Sequence, residues 1–228
     1  LTADETYIVS AASWLYETGM QKPILKPILD FELHGQAFGA SQLKEIRDNK
    51  HLLSEKLIYE SVSNDYKGEP INLGVHIVDD YTYRIAEICR YCSKEPLADI
   101  PEIDYAKGLP VRIRLLVALL RLADQLYIDP SRINLDLLER ANLPEPQFAR
   151  WWAYHYTQIL PITNAQIRFH YFLPSNQKEF LGHIRALIEP EFEFENNPTI
   201  QFLWDAYQLR LMPPRRPSIS RFDQAPGF

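Results

Sequence analysis

The most apolar stretch of the chain lies near its middle, at residues 110–134. Between Val111 and Leu126 the apolar side chains leave almost no polar face, so the pattern predicts a helix surrounded by protein. Three arginines interrupt the run, which is also about half the ~20 apolar residues that a membrane span needs. We therefore expect the core helix of a globular domain.

Helical periodicity recurs before this central helix. Thr2 or Asp4 can cap a first helix, which Gly19 would end. Residues 21–39, with their prolines and turn glycines, are expected to form a loop. Residues 41–62 show a broken helical pattern that suggests two helices meeting near Asp48 and Asn49, and residues 78–92 show another helical pattern. The predicted apolar stripe of the first helix comprises Tyr7, Ile8, Ala11, Ala12, Trp14 and Leu15. Together these segments predict a bundle of helices around the central one.

The pattern changes after the central helix. Residues 157–173 alternate apolar and polar positions, as in a short β-hairpin. Further helices are predicted at 177–189 and at 198–211, the second capped by Asn197. Residues 94–110 are predicted to be a polar link. The fold class is therefore mostly α, with a small C-terminal hairpin and helices.

These changes of pattern suggest the domain organisation. Residues 1–143 are predicted to form one helical domain, and residues 144–211 a hairpin-and-helix lobe packed on it. Residues 212–228 are rich in proline and are expected to be a linker or tail. Because the chain begins with Leu1 rather than methionine, we expect an excerpt of a longer, multidomain protein.

Composition narrows the choice of partners. The chain has 228 residues, 46% of them apolar, and a net charge of -6. It therefore has no general attraction for nucleic acid or an anionic membrane, and neither is an expected partner. Two cysteines cannot form a secreted disulfide framework, so a cytoplasmic location is expected.

Four short motifs occur in order along the first half of the chain. They are YETG at 16–19, RDNKHLLS at 47–54, ICRYC at 88–92 and LLRLAD at 119–124. Their order resembles the HDxG, RxxHHxxS, helix-terminal histidine and LLRxAD motifs of the HD-domain superfamily of metal-dependent phosphohydrolases. The resemblance implies an HD-domain-like helical bundle.

The resemblance also implies where metal ligands would lie. His51 and Asp124 match ligand residues of the family. Four other ligand positions differ: Tyr16, Glu17, Lys50 and Cys92. A protonated lysine cannot bind a metal ion and repels one. A carboxylate such as Asp124 in a buried helix needs a cation, a metal or several donors, and the alternative to a metal is an ion pair with Arg121.

Three functions remain open. The first is a catalytically degenerate HD domain that acts as a binding or regulatory module, sensing a nucleotide or phosphate, without a metal cofactor. Its candidate phosphate-binding residues are Arg47, Lys50 and Arg121, unless these cations only pair with nearby carboxylates. The vestigial site would then comprise Tyr16, Glu17, Lys50, His51, Cys92 and Asp124.

The second function is an active phosphohydrolase or phosphodiesterase acting on nucleotides. Its altered ligand set would be Glu17, His51, Cys92 and Asp124, holding manganese, iron or zinc. The third function is a helical scaffold that contacts other domains of the same protein or a protein partner.

Overall fold

The computed structural model describes residues 1–20, 46–62, 79–93, 95–141, 143–163 and 166–207. Its fold is mostly helical with two small antiparallel strand pairs, which confirms the predicted fold class. By contacts within the chain, it divides into unit 1, Leu1–Arg121, and unit 2, Leu122–Phe228. The domain boundary predicted at residue 143 stays a prediction.

Unit 1 contains three helices, a two-stranded hairpin and most of a fourth helix among the residues described. The helices are α1 (Ala3–Leu15), α2 (Lys50–Val62), α3 (Asp79–Tyr91) and α4 (Ile113–Leu126), the last of which continues into unit 2; the strands are β1 (Asp104–Ala106) and β2 (Leu109–Val111). Helix α2 packs against α3, and α1 also packs against α3.

Unit 2 alternates short helices with one hairpin. Its elements are α5 (Leu135–Arg140), α6 (Glu145–His155), β3 (Thr157–Thr163), β4 (Gln166–Tyr171), α7 (Leu181–Ile188) and α8 (Pro198–Tyr207). The antiparallel β3–β4 pair confirms the predicted hairpin. Asn197 caps α8 as predicted, because its side-chain oxygen accepts hydrogen bonds from the backbone N–H groups of Thr199 and Ile200. The helix predicted from residue 177 begins only at Leu181, after a 3₁₀ turn.

Helix α1 begins with a capping box. The Thr2 hydroxyl accepts from the Glu5 backbone N–H at 3.1 Å, and the Glu5 carboxylate accepts from the Thr2 backbone N–H at 2.9 Å. The predicted stripe is correct except at Trp14, which is 78% exposed. Trp14 lies about 100° from Leu15 and about 200° from Ala12 around the helix, so it falls off the buried face.

Helix α4 confirms the predicted core helix. Its buried residues are Ile113, Leu115, Leu116, Val117, Ala118, Leu120 and Leu122. The polar link predicted at 94–110 is wrong, since β1 and β2 pair there. Both residues of their turn, Lys107 and Gly108, have positive φ angles of 51° and 73°, as a two-residue hairpin turn requires.

Several predictions concern residues that the structure does not describe. The loop predicted at 21–39 and the tail predicted at 212–228 lie outside the described residues, as does the start of the first of the two helices predicted within 41–62. Within the described part of the chain, none of the helices has the length and apolar character needed to span a membrane.

Candidate functional site

The first two motifs lie against each other in unit 1. The buried Ser54 hydroxyl joins them, donating to the Tyr16 carbonyl oxygen at 2.9 Å and accepting from the Gly19 backbone N–H at 2.9 Å. Both hydrogen bonds connect residues that are distant in sequence, so they fix one motif relative to the other. We call residues 16–19 and 50–54 the motif frame.

Gly19 is required by the close approach of α2. A Cβ atom at position 19 would lie 2.6 Å from the Lys50 carbonyl oxygen and 2.7 Å from the Ser54 backbone nitrogen. Backbone atoms inside a helix cannot move aside without breaking the helix, so only glycine fits. The glycine and the serine of the motifs therefore hold the motif frame together.

Three of the positions that the resemblance predicts to be substituted ligands, Tyr16, Glu17 and Lys50, meet in the motif frame. Lys50 Nζ lies 2.7 Å from Glu17 Oε1, and the same ammonium lies 5.5 Å from the centroid of the Tyr16 ring. The side chains of Lys50 and Glu17 are 28% and 41% exposed, respectively. A cation thus contacts both a carboxylate and an aromatic ring while it remains accessible to a ligand.

His51 is half-buried and follows Lys50 in α2. Burial lowers the pKa of its imidazole, the positive charges of Lys50 and Arg90 lower it further, and the carboxylate of Glu95 opposes them. The imidazole is therefore mainly neutral at neutral pH, with one ring nitrogen able to accept a hydrogen bond or bind a cation.

Cys92 immediately follows the end of α3, and Arg121 reaches this point from α4. The Arg121 guanidinium donates to the Tyr91 carbonyl oxygen from Nε at 3.1 Å and from Nη2 at 2.5 Å. Burial lowers the pKa of Arg121, whereas the negative forms of Cys92 and Glu95 raise it. The Glu95 charge therefore acts on both His51 and Arg121.

Cys89, the other cysteine of the third motif, belongs to the core. Its side chain is buried, and its sulfur lies 3.8 Å from the Ala12 carbonyl oxygen. Burial raises the pKa of this thiol well above its ordinary value. The thiol stays protonated and packs as a small apolar group.

Asp124 corrects one expectation. It lies in the last turn of α4, within unit 2, and is exposed rather than enclosed by the core. The buried residues of α4 end at Leu122, so the apolar pattern overstated how far the burial continues. Arg121, its predicted ion-pair partner, directs its guanidinium to a backbone carbonyl. Arg47 is also exposed, and the ligand roles of all three residues stay predictions.

Sequence reasoning missed the most buried charged group among the described residues of unit 1. Glu5 is 1% exposed, and its carboxylate accepts from Arg112 Nε at 2.8 Å, from Nη2 at 2.6 Å and from the Arg112 backbone N–H at 3.2 Å. The Arg112 guanidinium and the backbone donors hold the pKa of Glu5 at about 2. The Thr2-x-x-Glu5 spacing indicated a capping box, but no pattern pointed to Arg112.

The positions of the described His, Cys, Asp and Glu side chains show whether they could bind a metal ion together. No group of three or more His, Cys, Asp or Glu side chains among them is arranged to hold a metal ion. What the motif frame offers instead is the paired ammonium and carboxylate of Lys50 and Glu17, with the half-buried imidazole of His51 next along α2.

Comparison with known proteins identifies the family. The family model HD-CE matches residues 1–189, which is well over half of the chain. No curated protein and no solved structure gave a match in the corresponding comparisons. The family match agrees with the HD-domain-like motifs and with the mostly helical fold. The chain therefore belongs to the HD-CE family, an HD-domain-like family.

Proposed function

We propose that this chain is a catalytically degenerate HD-like domain that binds a phosphate-bearing ligand, such as a nucleotide, as a regulatory module of a larger protein. One observation carries the proposal: the Lys50 ammonium lies 2.7 Å from the Glu17 carboxylate inside the motif frame. An ammonium offers a phosphate both a positive charge and hydrogen-bond donors, but it has no lone pair for a metal ion.

The resemblance to metal-dependent phosphohydrolases raises the question of whether these residues fit a divalent metal. Lys50 Nζ donates to Glu17 Oε1 at 2.7 Å, so a metal ion bound by this carboxylate would have to share it with an ammonium. A divalent cation there would meet a fixed positive charge within a few ångströms. The donor set of the motif frame therefore does not fit a metal ion, and the proposed function involves no metal-activated water.

A phosphate can reach this ammonium because the contact with Glu17 leaves part of it in solvent. Lysine has three N–H donors, of which one serves Glu17 Oε1, and its side chain is 28% exposed. Arg121 is directed to the Tyr91 carbonyl, so we take Lys50 as the principal phosphate-binding candidate, with the exposed Arg47 as the alternative. The neutral His51 beside it can donate or accept one hydrogen bond to a phosphate ester.

The test combines three measurements on the purified chain. Elemental analysis is expected to find no stoichiometric transition metal, and a screen of phosphomonoesters and cyclic nucleotides is expected to show no hydrolysis. Titration calorimetry with adenosine monophosphate is expected to show saturable binding that Lys50→Met abolishes. Lys56→Met is the matched control, since Lys56 is an exposed lysine on the same helix.

Two results would contradict the proposal. One is a bound metal in a one-to-one ratio together with turnover, which would favour the active phosphohydrolase with an altered ligand set. The other is nucleotide affinity that Lys50→Met and Lys56→Met reduce equally, because that would show only a general effect of net charge.

A further inference from the structure

An open groove lies between α7 and the residues that follow it in unit 2. Its volume is about 230 Å³, below the roughly 300–1,000 Å³ of pockets that enclose a whole small ligand. The groove is lined by Gly182, Arg185, Ala186, Glu189, Pro190 and Glu193. It therefore suits one or two side chains of a peptide rather than an entire nucleotide.

The floor of this groove is apolar and has free space above it. Gly182 and Ala186 are four residues apart on the same side of α7, and both are exposed. A Cβ atom added to Gly182 would meet nothing within 4 Å. Pro190 adds a third small apolar surface to the same groove. The groove can therefore receive an apolar side chain without any movement of the helix.

Negative charge and an aromatic ring lie at the rim of the groove. Glu193 and Glu195 are exposed and form no ion pair with any described residue, whereas salt bridges neutralise the other two carboxylates of residues 189–195. Between them lies Phe194, which is 40% exposed and packs edge to face on Trp204 with the ring centroids 6.0 Å apart. A peptide that carries both apolar and cationic side chains matches this surface.

The chain itself contains such a peptide at residues 212–228, outside the described part of the structure. In sequence this segment has four prolines, three arginines and one aspartate: Pro213, Pro214, Pro217, Pro226, Arg215, Arg216, Arg221 and Asp223. It is therefore basic, although the whole chain has a net charge of -6. Proline-rich peptides commonly bind grooves that contain aromatic rings, and arginines favour a carboxylate beside such a groove.

The segment also starts close enough to reach the groove. Helix α8 ends at Tyr207, three residues after Trp204, whose ring contacts Phe194. Arg215 follows Tyr207 by eight residues, which can span at most about 28 Å when fully extended. The connection is therefore long enough for the arginines to lie beside the carboxylates of the rim.

We propose that the groove beside α7 is a docking site for residues 212–228 of the same chain, with prolines on its apolar floor and arginines paired with Glu193 and Glu195. This inference goes beyond the proposed function, because it concerns a peptide bound by unit 2 rather than a phosphate bound by Lys50. Because the occupant belongs to the same chain, docking does not depend on protein concentration.

Limited proteolysis of the full chain by trypsin tests the proposal. Trypsin cleaves after Arg215 and after Arg221, and a docked segment is cleaved only from its released state. The variant Glu193→Gln/Glu195→Gln is expected to raise the initial rate of cleavage at these two sites at least about threefold, because it populates the released state. Mass spectrometry of the first products measures each rate separately.

A second variant tests the groove without changing any charge. Gly182→Leu places a side chain in the free space above the floor, and it is expected to raise the same cleavage rates. The matched control is Asp136→Asn/Glu139→Gln, which removes two exposed carboxylates of α5 and should leave the rates unchanged. Circular dichroism with a thermal melt identifies the variants that fold.

Three results would overturn the proposal. The first is an unchanged cleavage rate in a folded groove or rim variant. The second is an equal rise in the α5 control, which would show only an effect of net charge on the protease. The third is protection that disappears on dilution, because the occupant would then be the segment of a second copy. None of these results bears on nucleotide binding at Lys50, which has its own test.

Discussion

Among the carboxylate–cation pairs of the described part of unit 1 that join distant segments, Glu5–Arg112 and Glu17–Lys50 differ in burial and in completeness. Glu5 and Arg112 are 107 residues apart, and Glu5 is 1% exposed with both carboxylate oxygens bonded to the guanidinium. Glu17 and Lys50 are 33 residues apart and share one contact at 2.7 Å, with side chains that are 41% and 28% exposed.

The difference separates a structural pair from one that a ligand can enter. The Glu5 carboxylate also accepts hydrogen bonds from backbone N–H groups at the start of α1 and just before α4. Both of its oxygens are therefore occupied by groups of the chain, and none is left for a ligand. Both side chains of the Glu17–Lys50 pair are partly exposed to solvent, and such pairs contribute little to stability. In the proposed function a phosphate displaces or shares the second pair, whereas displacing the first would disrupt the fold.

The largest expected effect is the loss of stability in Glu5→Ala. Removing the Glu5 carboxylate leaves the Arg112 charge and two backbone donors unsatisfied. We expect the free energy of unfolding to fall by about 3 kcal/mol. This value is at the lower end for buried ion pairs because Arg112 is partly exposed. Urea denaturation measures this loss. The matched change Glu17→Ala should cost less than about 1 kcal/mol. Equal losses would remove the distinction between the two pairs.

A somewhat smaller loss is expected for Ser54→Ala. The substitution leaves the Tyr16 carbonyl and the Gly19 N–H of the motif frame without their partner, which should cost about 2 kcal/mol. Ser13→Ala is the control, because the Ser13 hydroxyl bonds within an exposed helical turn. If thermal melts show the same stability for both variants, the motif frame is not held by Ser54.

The pH dependence of stability should test the pair of Glu5 and Arg112 directly. The folded-state pKa of Glu5 is about 2, below its ordinary value of 4.5. A carboxylate with a depressed pKa contributes its full stability above the unfolded-state pKa, and the contribution is lost as the pH falls through the folded-state pKa. The difference in melting temperature between the unmodified chain and Glu5→Gln should therefore shrink between pH 5 and about pH 2. A difference that stays constant over this range would contradict the depressed pKa.

The smallest expected effect is that of Asp124→Ala. Because Asp124 is exposed, its contacts should contribute less than about 1 kcal/mol, and the melting temperature should change little. A large drop in melting temperature would instead support the enclosed carboxylate that the sequence pattern suggested.

The periodic pattern of apolar residues in the sequence predicted those helices that bury one continuous face. The core helix α4, the Thr2 cap of α1 and the Asn197 cap of α8 all follow from local patterns of apolar and capping residues. The hairpin of β1 and β2 was missed because its strands are three residues each, too short to show alternation, although Gly108 marked the turn.

The motif frame was only partly predictable. The sequence motifs indicated that Gly19 and Ser54 belong to one pattern, but the contact of Ser54 with Tyr16 and Gly19 depends on how α2 packs against the end of α1. Pairing between Glu5 and Arg112 was unpredictable for the same reason, since no local spacing connects two residues 107 positions apart. Local patterns determine helices and caps, whereas partners across the fold depend on packing.

The central claim is that the Lys50 charge binds phosphate without a metal ion, and phosphorus NMR tests it most directly. Adenosine monophosphate is titrated with protein kept in a chelator, and the position and width of the phosphate resonance are followed. We expect the unmodified chain to shift and broaden the resonance in a saturable manner, Lys56→Met to do the same, and Lys50→Met to leave it unchanged. Two results would contradict the claim. In one, Lys50→Met shifts the phosphate resonance as much as the unmodified chain does. In the other, the unmodified chain shifts the resonance only after a divalent metal is added.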